Sequence, residues 1–310
     1  MRTLAYAGIA AALIAIQSHA SYGLENKIRA ALVEQYRTYV LLEQTVRDRC
    51  VALMHATISS VSISADGRIC EECLRNVDVL MRMHGCLDRY SRLLSITRKS
   101  GASEKETARL VVHERHLVVR IPEFKRLDQS ADVVIAALGP YTSYLKNIVA
   151  IVIDVRDNPG GNVDDLRKMA ALFAPAKGLR YMDVRGVYGV ASHQLTERRG
   201  VLAGIPLRIL IDGYTASASE WLIAILKDWY PRTVYTVGVE ATSGKSVIQC
   251  IQRVENIVMQ LTCARWKFNG DDIEDKGISP DWHVDLHSCG SDYSCVVKRI
   301  SRESIKSGMR

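Results

Sequence analysis

Residues 210–249 read LIDGYTASASEWLIAILKDWYPRTVYTVGVEATSGKSVIQ, a strand, a turn, a helix and a strand in succession. The apolar run Leu207 to Ile211 has the length and composition of a buried strand. A turn of small residues follows it. Trp221, Leu222, Ile225, Leu226 and Trp229 then recur at helical spacing. Thr233 to Val239 reads as a second strand, and the loop from Ala241 to Gly244 leads to Lys245 on a third run that alternates apolar and polar residues. Elements that alternate in this way predict an α/β fold, a central sheet flanked by helices.

The same residues carry candidate chemistry. A serine where a strand turns into a helix exposes its oxygen near the positive end of the helix dipole, which favours a developing oxyanion. A lysine can take the serine's proton only if burial lowers its pKa from ~10.4 to ~7–8. Val237, Val247 and Ile248 supply an apolar setting for Lys245. Ser217-Ala-Ser-Glu220 is also an ordinary capping box, and Thr215 and Ser219 compete with Ser217 for the role of nucleophile. Ser-Gly-Lys-Ser is not a phosphate loop, because Gly238 stands one residue too far upstream and a strand-like segment follows.

Four separated segments, taken together, resemble the carboxyl-terminal processing (tail-specific) serine proteases. They are IVIDVRDNPGG (151–161), TASASE (215–220), GVEATSGKSVIQ (238–249) and DKGISPDWHVD (275–285), in the order and approximate spacing of that family. With weaker similarity from about Leu87 onward, the likeness covers roughly two-thirds of the chain. It implies a crotonase-like or ClpP-like core and a Ser–Lys dyad, with Ser217 as nucleophile and Lys245 as general base. Gln249 falls on a residue that orients the lysine in part of the family, and positions four apart on a strand face the same side. The implied oxyanion donors are the N–H of Ala218 and one from the Gly160-Gly161 turn. Asp228 and Glu220 match supporting positions; a solvated charge at the helix end is the plain alternative for Asp228. The resemblance implies a protein or peptide substrate and no cofactor. A non-catalytic peptide- or ligand-binding protein on the same fold is the alternative, and loss of the serine or lysine would have favoured it.

The N-terminus reads as a leader. Arg2 precedes the apolar run Leu4 to Ile16, and Ser18-His19-Ala20 offers a small-residue cleavage site, so residues 1–20 are expected to be a signal peptide. Export to the periplasm or the exterior follows, with no stable membrane insertion after cleavage. The net charge is +7, but the basic residues are interleaved with acids, so no nucleic-acid partner is expected.

All eight cysteines lie beyond the leader, and an oxidising compartment makes disulfides the default. Cys250 and Cys263 flank the expected hairpin turn at Glu255-Asn256 near-symmetrically, and Cys289 with Cys295 can close a small loop. Cys50, Cys70, Cys73 and Cys86 allow three pairings. Cys70-x-x-Cys73 with Cys50 or His84 is a weaker zinc reading, and nothing in the surrounding sequence indicates a redox fold.

The expected organisation is a helical region with cysteines (21–95), a protease core (96–288) and a basic tail (289–310). In the first, one long helix from Leu24 to Met54 and a second from Cys70 to Leu94 form a stapled hairpin, available for packing on the core or for self-association. Only Ser95 to His116, with a polar loop at Ser100–Glu106, separates this region from the strand Leu117 to Ile121, too little for a PDZ domain of ~50 residues or more. Strands at 148–155 and 179–184 and helices at 131–138 and 163–173 continue the alternation. His113, His116 and His193 are read as surface or structural, and the tail from Val296 to Arg310 as a frayed helix without chemistry.

Overall fold

Apolar runs of four or five residues, too short for helices and buried on both faces, assemble side by side as parallel strands. The structure, a computed structural model, describes residues 23–64 apart from 39 and 41, then 68–95, 106–125, 129–176, 180–186, 189–194, 198–267 and 272–306. The expected leader, nearly all of the Ser100–Glu106 loop and the side chain of His193 lie outside the described residues. In chain order the elements are α1 (residues 23–38), α2 (Gln44–Ser59), α3 (Glu71–Met83), β1 (Arg92–Ser95), β2 (Arg109–His113), β3 (His116–Arg120), α4 (Ser130–Leu138), β4 (Ala150–Asp154), α5 (Val163–Ala171), β5 (Arg180–Gly186), β6 (Gly189–Gln194), β7 (Leu207–Leu210), α6 (Ala218–Trp229), β8 (Val234–Gly238), β9 (Val247–Val254), β10 (Ile257–Lys267), β11 (Trp282–His283) and α7 (Tyr293–Lys306).

The chain forms two compact units, and they cut across the linear division expected from the sequence. The first takes the described residues within 1–102, 185–189 and 247–265, and the second those within 103–184, 190–246 and 266–310. The hairpin of β9 and β10 thus belongs with the N-terminal helices, and the C-terminal segment belongs with the core.

In the first unit, β10 pairs antiparallel with both β1 and β9, and a bulge between Thr262 and Ala264 sets Cys263 off the ladder. Ile257, Met259 and Leu261 of β10 join Leu32, Tyr36, Met54, Ile58, Leu74 and Met81 in one apolar cluster. The cysteines bridge as Cys50–Cys86, Cys70–Cys73 and Cys250–Cys263. Disulfides, not a zinc site, therefore account for the first four. The single long helix expected over 24–54 is instead two, α1 and α2. Glu43, Gln44 and Arg47 occupy the positions where a stripe continued from Val40 would need apolar residues, so nothing holds that turn helical.

The second unit is built on a six-stranded sheet in the order β11-β8-β7-β4-β3-β2. All neighbours are parallel except β2 and β3, a hairpin closed by a two-residue turn. Alternate strand residues serve opposite faces. Val118, Val152, Leu210 and Val237 pack against Tyr293, Val296, Val297 and Ile300 of α7. Leu117, Val119, Ile151, Ile153 and Ile209 alternate with them and are fully buried on the other face.

The C-terminal segment overturns the expectation of a frayed tail. Its apolar residues 293, 296, 297 and 300 form one stripe, Lys298 and Arg299 lie between them, and Cys289–Cys295 closes the loop in front of the helix. Tyr293 Oη donates to Asp154 Oδ2 at 3.0 Å, and Arg156 holds the same carboxylate through two bonds of 2.9 and 2.8 Å. Burial, and then Asp154, push the Tyr293 hydroxyl up from 10.0 to about 12.

Because Ile300 is buried, Ile300→Ala is expected to lower stability by about 2–4 kcal/mol in urea titration, whereas a frayed tail would lose almost nothing. Tyr293 has a raised folded-state pKa, so its contribution is fully present below pH ~10 and is lost as pH rises through ~12. The stability difference between wild type and Tyr293→Phe should therefore be flat up to pH ~9 and shrink above pH ~10.

Candidate active site

Three loops leave the carboxyl ends of neighbouring parallel strands, where open α/β sheets place their ligands. One runs from β4 through Asn158-Pro-Gly-Gly161 to α5, one from β7 through residues 211–217 to α6, and one follows β8 to Lys245.

Ser217 stands immediately before α6 with φ 56° and ψ −116°, a backbone conformation that residues other than glycine rarely take. Of the three hydroxyls in this turn, Thr215 and Ser219 are fully buried. Thr215 Oγ1 lies 2.9 Å from Val155 O, and Ser219 Oγ lies 3.4 Å from Asn158 O. Ser217 alone is partly exposed. Ala218 is the first residue of α6, so its N–H is one of the helix's orphan donors.

Glu220, fully buried, ties two of these loops together. Its Oε2 accepts from Ser217 N–H at 2.7 Å and from Lys245 N–H at 2.8 Å. Its Oε1 accepts from Thr242 Oγ1 at 2.6 Å and from Gly244 N–H at 2.7 Å. A carboxylate has about four acceptor sites, and four donors occupy them. Two residues 28 positions apart thus donate to one oxygen, and their nitrogens can be no farther apart than those two bonds laid end to end. The capping box read from the sequence is half of this arrangement, since Glu220 reaches back to the N–H of Ser217.

Lys245 is partly buried and lies in the loop before β9, not on a strand as expected. The backbone here bonds to carboxylates in place of a ladder, since Ser246 N–H and Oγ donate to Glu274 Oε2 at 3.1 and 2.6 Å. The spacing argument linking Lys245 to Gln249 along one strand therefore fails. Gln249 lies on β9 in the first unit, where its carboxamide donates to Tyr90 O and accepts from Gln260 Nε2. Asp228 is exposed in the last turn of α6.

Asn158 joins the glycine turn to the serine turn. Fully buried, it donates from Nδ2 to Ile121 O, accepts Gly160 N–H on Oδ1, and accepts Ala216 N–H on its carbonyl, at 2.8, 2.8 and 2.9 Å. Gly160 has φ 98°, and a Cβ built there would lie 2.7 Å from Ser217 Cβ and 2.8 Å from Ala218 N. Only glycine permits so close an approach. The Gly160 N–H is itself taken up by Asn158.

The DKGISPD segment acts as a bracket. Thr242 and Ile278 exchange hydrogen bonds of 3.1 and 2.7 Å, and Asp275 N–H donates to Gly244 O at 3.0 Å. A Cβ on Gly277 would fall 2.0 Å from Thr242 O. Asp281 accepts from Thr236 N–H and pairs with Lys227 of α6, at 2.7 and 2.8 Å. Asn158, Thr242 and Glu274 received no role from the sequence. Asn158 and Thr242 lie inside quoted segments, but Glu274 precedes its segment and carries no spacing signal.

In Glu220→Gln one acceptor oxygen becomes an amide donor, which leaves two buried donors facing it. The expected loss is roughly 2–4 kcal/mol by denaturant unfolding, with secondary structure retained by circular dichroism.

The model of Peptidase family S41 matches residues 115–284, more than half of the chain. A probable CtpA-like serine protease of Staphylococcus aureus is 31% identical over 171 residues, 54% of this chain and 33% of that protein. Carboxyl-terminal-processing peptidase 2, chloroplastic, of Arabidopsis thaliana is 32% identical over 138 residues, 44% of this chain and 26% of that one. The chain thus spans about a third or less of the length of these relatives. Among solved structures, a lipoprotein from Streptococcus agalactiae superposes with TM-score 0.61 at 17% identity, over 89% of this chain and 96% of that one, a likeness of fold. The segments that resemble the carboxyl-terminal processing proteases all begin within the matched range, and the chain belongs to peptidase family S41.

Proposed function

We propose that the protein is an exported serine endopeptidase in which Ser217 and Lys245 form the catalytic dyad. The observation that carries this reading is the shared carboxylate oxygen of Glu220, which fixes the backbone of both residues at one point. The partial exposure of Ser217, against the full burial of Thr215 and Ser219, supports Ser217 as the nucleophile.

In the mechanism, the neutral Lys245 amine takes the Ser217 proton as Oγ attacks the peptide carbonyl. The N–H groups of Ala218 and Gly161 receive the oxyanion, as donors already oriented at a helix start and a glycine turn. Lys245 returns the proton to the leaving amine, and water, activated by the same lysine, releases the acyl group from Ser217. Asn158 and Glu220 act through other groups: one sets the glycine turn against the serine turn, the other sets the serine turn against the lysine loop. The substrate would be an extended peptide. Only residues 96–108 separate β1 from β2, which supports an enzyme without a PDZ domain there to select C-terminal tails. Export is supported by the N-terminal apolar run and by four disulfides. No described helix is long and apolar enough to cross a membrane.

Incubation with an unstructured protein such as casein tests the dyad. Ser217→Ala and Lys245→Ala are each expected to reduce fragment release by at least ~10³-fold with an unchanged unfolding midpoint. Equal cleavage by wild type and Ser217→Ala would remove Ser217 from the mechanism. Cleavage by neither would leave peptide binding on the same fold as the better reading.

A further inference from the structure

We propose that the Cys70–Cys73 disulfide is a site of thiol–disulfide exchange, opened by an external dithiol while the other three bridges serve the fold. Four bridges occur among the described residues, and this one differs from the rest in three independent respects.

The first is access. Cys50 and Cys86 are 0% and 1% exposed, and Cys263 and Cys289 are 5% and 6% exposed. Each of those three bridges therefore has at least one buried cysteine, whereas Cys70 is exposed and Cys73 partly so. An attacking thiolate must reach a sulfur along the S–S axis, so exposure limits the rate.

The second is what the bond holds. Cys70–Cys73 spans a sequence separation of 3, against 6 for Cys289–Cys295, 13 for Cys250–Cys263 and 36 for Cys50–Cys86. A bridge constrains the unfolded chain less the shorter its loop, so little folding free energy opposes opening this one. The segment before it is also anchored without the bond. Ile69 pairs with Ile63, and both its backbone groups bond to the side chain of Asn256.

The third is the fate of the sulfur. Cys70 is the N-cap of α3, and its Sγ accepts the Cys73 N–H at 3.0 Å. A thiolate released at Cys70 inherits that hydrogen bond and the positive end of the helix dipole, and both lower a thiol's pKa. Glu71, next to it, is drawn toward Arg75 of the following turn.

The step balances with a dithiol reductant. Its thiolate attacks Cys70 Sγ, the S–S bond breaks, and Cys73 leaves as a thiolate that takes a proton. The reductant's second thiolate then attacks its own sulfur in the mixed disulfide and expels the Cys70 thiolate. Two electrons pass to the protein, and the reductant departs as a disulfide.

The test is native-state reduction of the full chain with dithiothreitol, quenched by iodoacetamide and read by peptide mass. Cys70 and Cys73 are expected to be alkylated at least ~10-fold faster than any other cysteine pair, with the thermal midpoint shifted by only a few degrees. In a second arm, Cys73→Ser incubated with oxidised glutathione should carry one glutathione, on Cys70. The proposal is overturned if Cys70–Cys73 opens no faster than Cys289–Cys295 or Cys250–Cys263, or only together with Cys50–Cys86. Absence of the glutathione adduct from the folded variant overturns it equally.

Discussion

One buried carboxylate sets the geometry on which the rest of this site depends. The four donors to Glu220 are all uncharged groups. The carboxylate is surrounded by hydroxyl and amide hydrogens, three of them from backbone. A buried charge without such donors would be strongly unfavourable, and each hydrogen bond to a charged acceptor contributes about 1.5–3 kcal/mol. The backbone of Ser217, at positive φ, costs on the order of 1–3 kcal/mol. Four bonds on the carboxylate outweigh one strained residue, and one of the four is made by the strained residue itself. The strain persists because the surrounding chain over-determines it.

The arrangement explains why the family's segments lie so far apart in sequence. Parallel strands bring their carboxyl ends to one end of the sheet, so each connection that leaves them delivers one loop to the same place. Asn158 joins the first loop to the second, Glu220 the second to the third, and Thr242 with Ile278 seats the third against the closing segment. None of these ties is between two candidate catalytic side chains. The contacts run mostly from side chain to backbone, and such contacts position a neighbouring residue whatever its own side chain does. Substitution of a candidate catalytic side chain is therefore compatible with an intact fold.

Patterns confined to a few residues were legible in the sequence, and patterns that need a third dimension were not. Strand runs such as 148–155 and the stripe of α6 follow from burial and period alone, so β4 and α6 appear within a residue or two of their expected bounds. Cys250 and Cys263 were readable because a hairpin brings near-symmetric positions together, although the bulge leaves Leu261 as the ladder partner of Cys250. The two helices at 23–38 and 44–59 read as one, since every residue between them can be helical and only the lapse of the apolar stripe marks the break. Lys245 read as a strand residue because Val247, Ile248 and Ile251 follow it. Nothing local reveals that the two N–H groups at 245 and 246 find carboxylates 25 and 28 residues away. Asn158 was visible as part of a turn, but its link to Ala216 depends on the order of strands in the sheet.

The C-terminal segment carries this reasoning beyond residues 115–284, the range matched by the family. Asp154 ends β4 one step before the turn that carries Asn158 and Gly160, and it is 2% exposed. Its charge is met by Arg156, with Arg120 3.5 Å away, and Arg156 also donates to Gly290 O at 3.0 Å. Tyr293 completes the set from the first turn of α7. Removing one partner of a buried ion pair costs more than the pair contributes, because the other charge is left unmet. The sheet end that presents the glycine turn is therefore held from both sides of the chain, by residues of the family segment and by a tyrosine and a carbonyl that follow it. Cys289–Cys295 closes the loop from which that carbonyl projects, so the bridge fixes the approach of α7 and, through Arg156 and Asp154, the start of the turn beside Ser217.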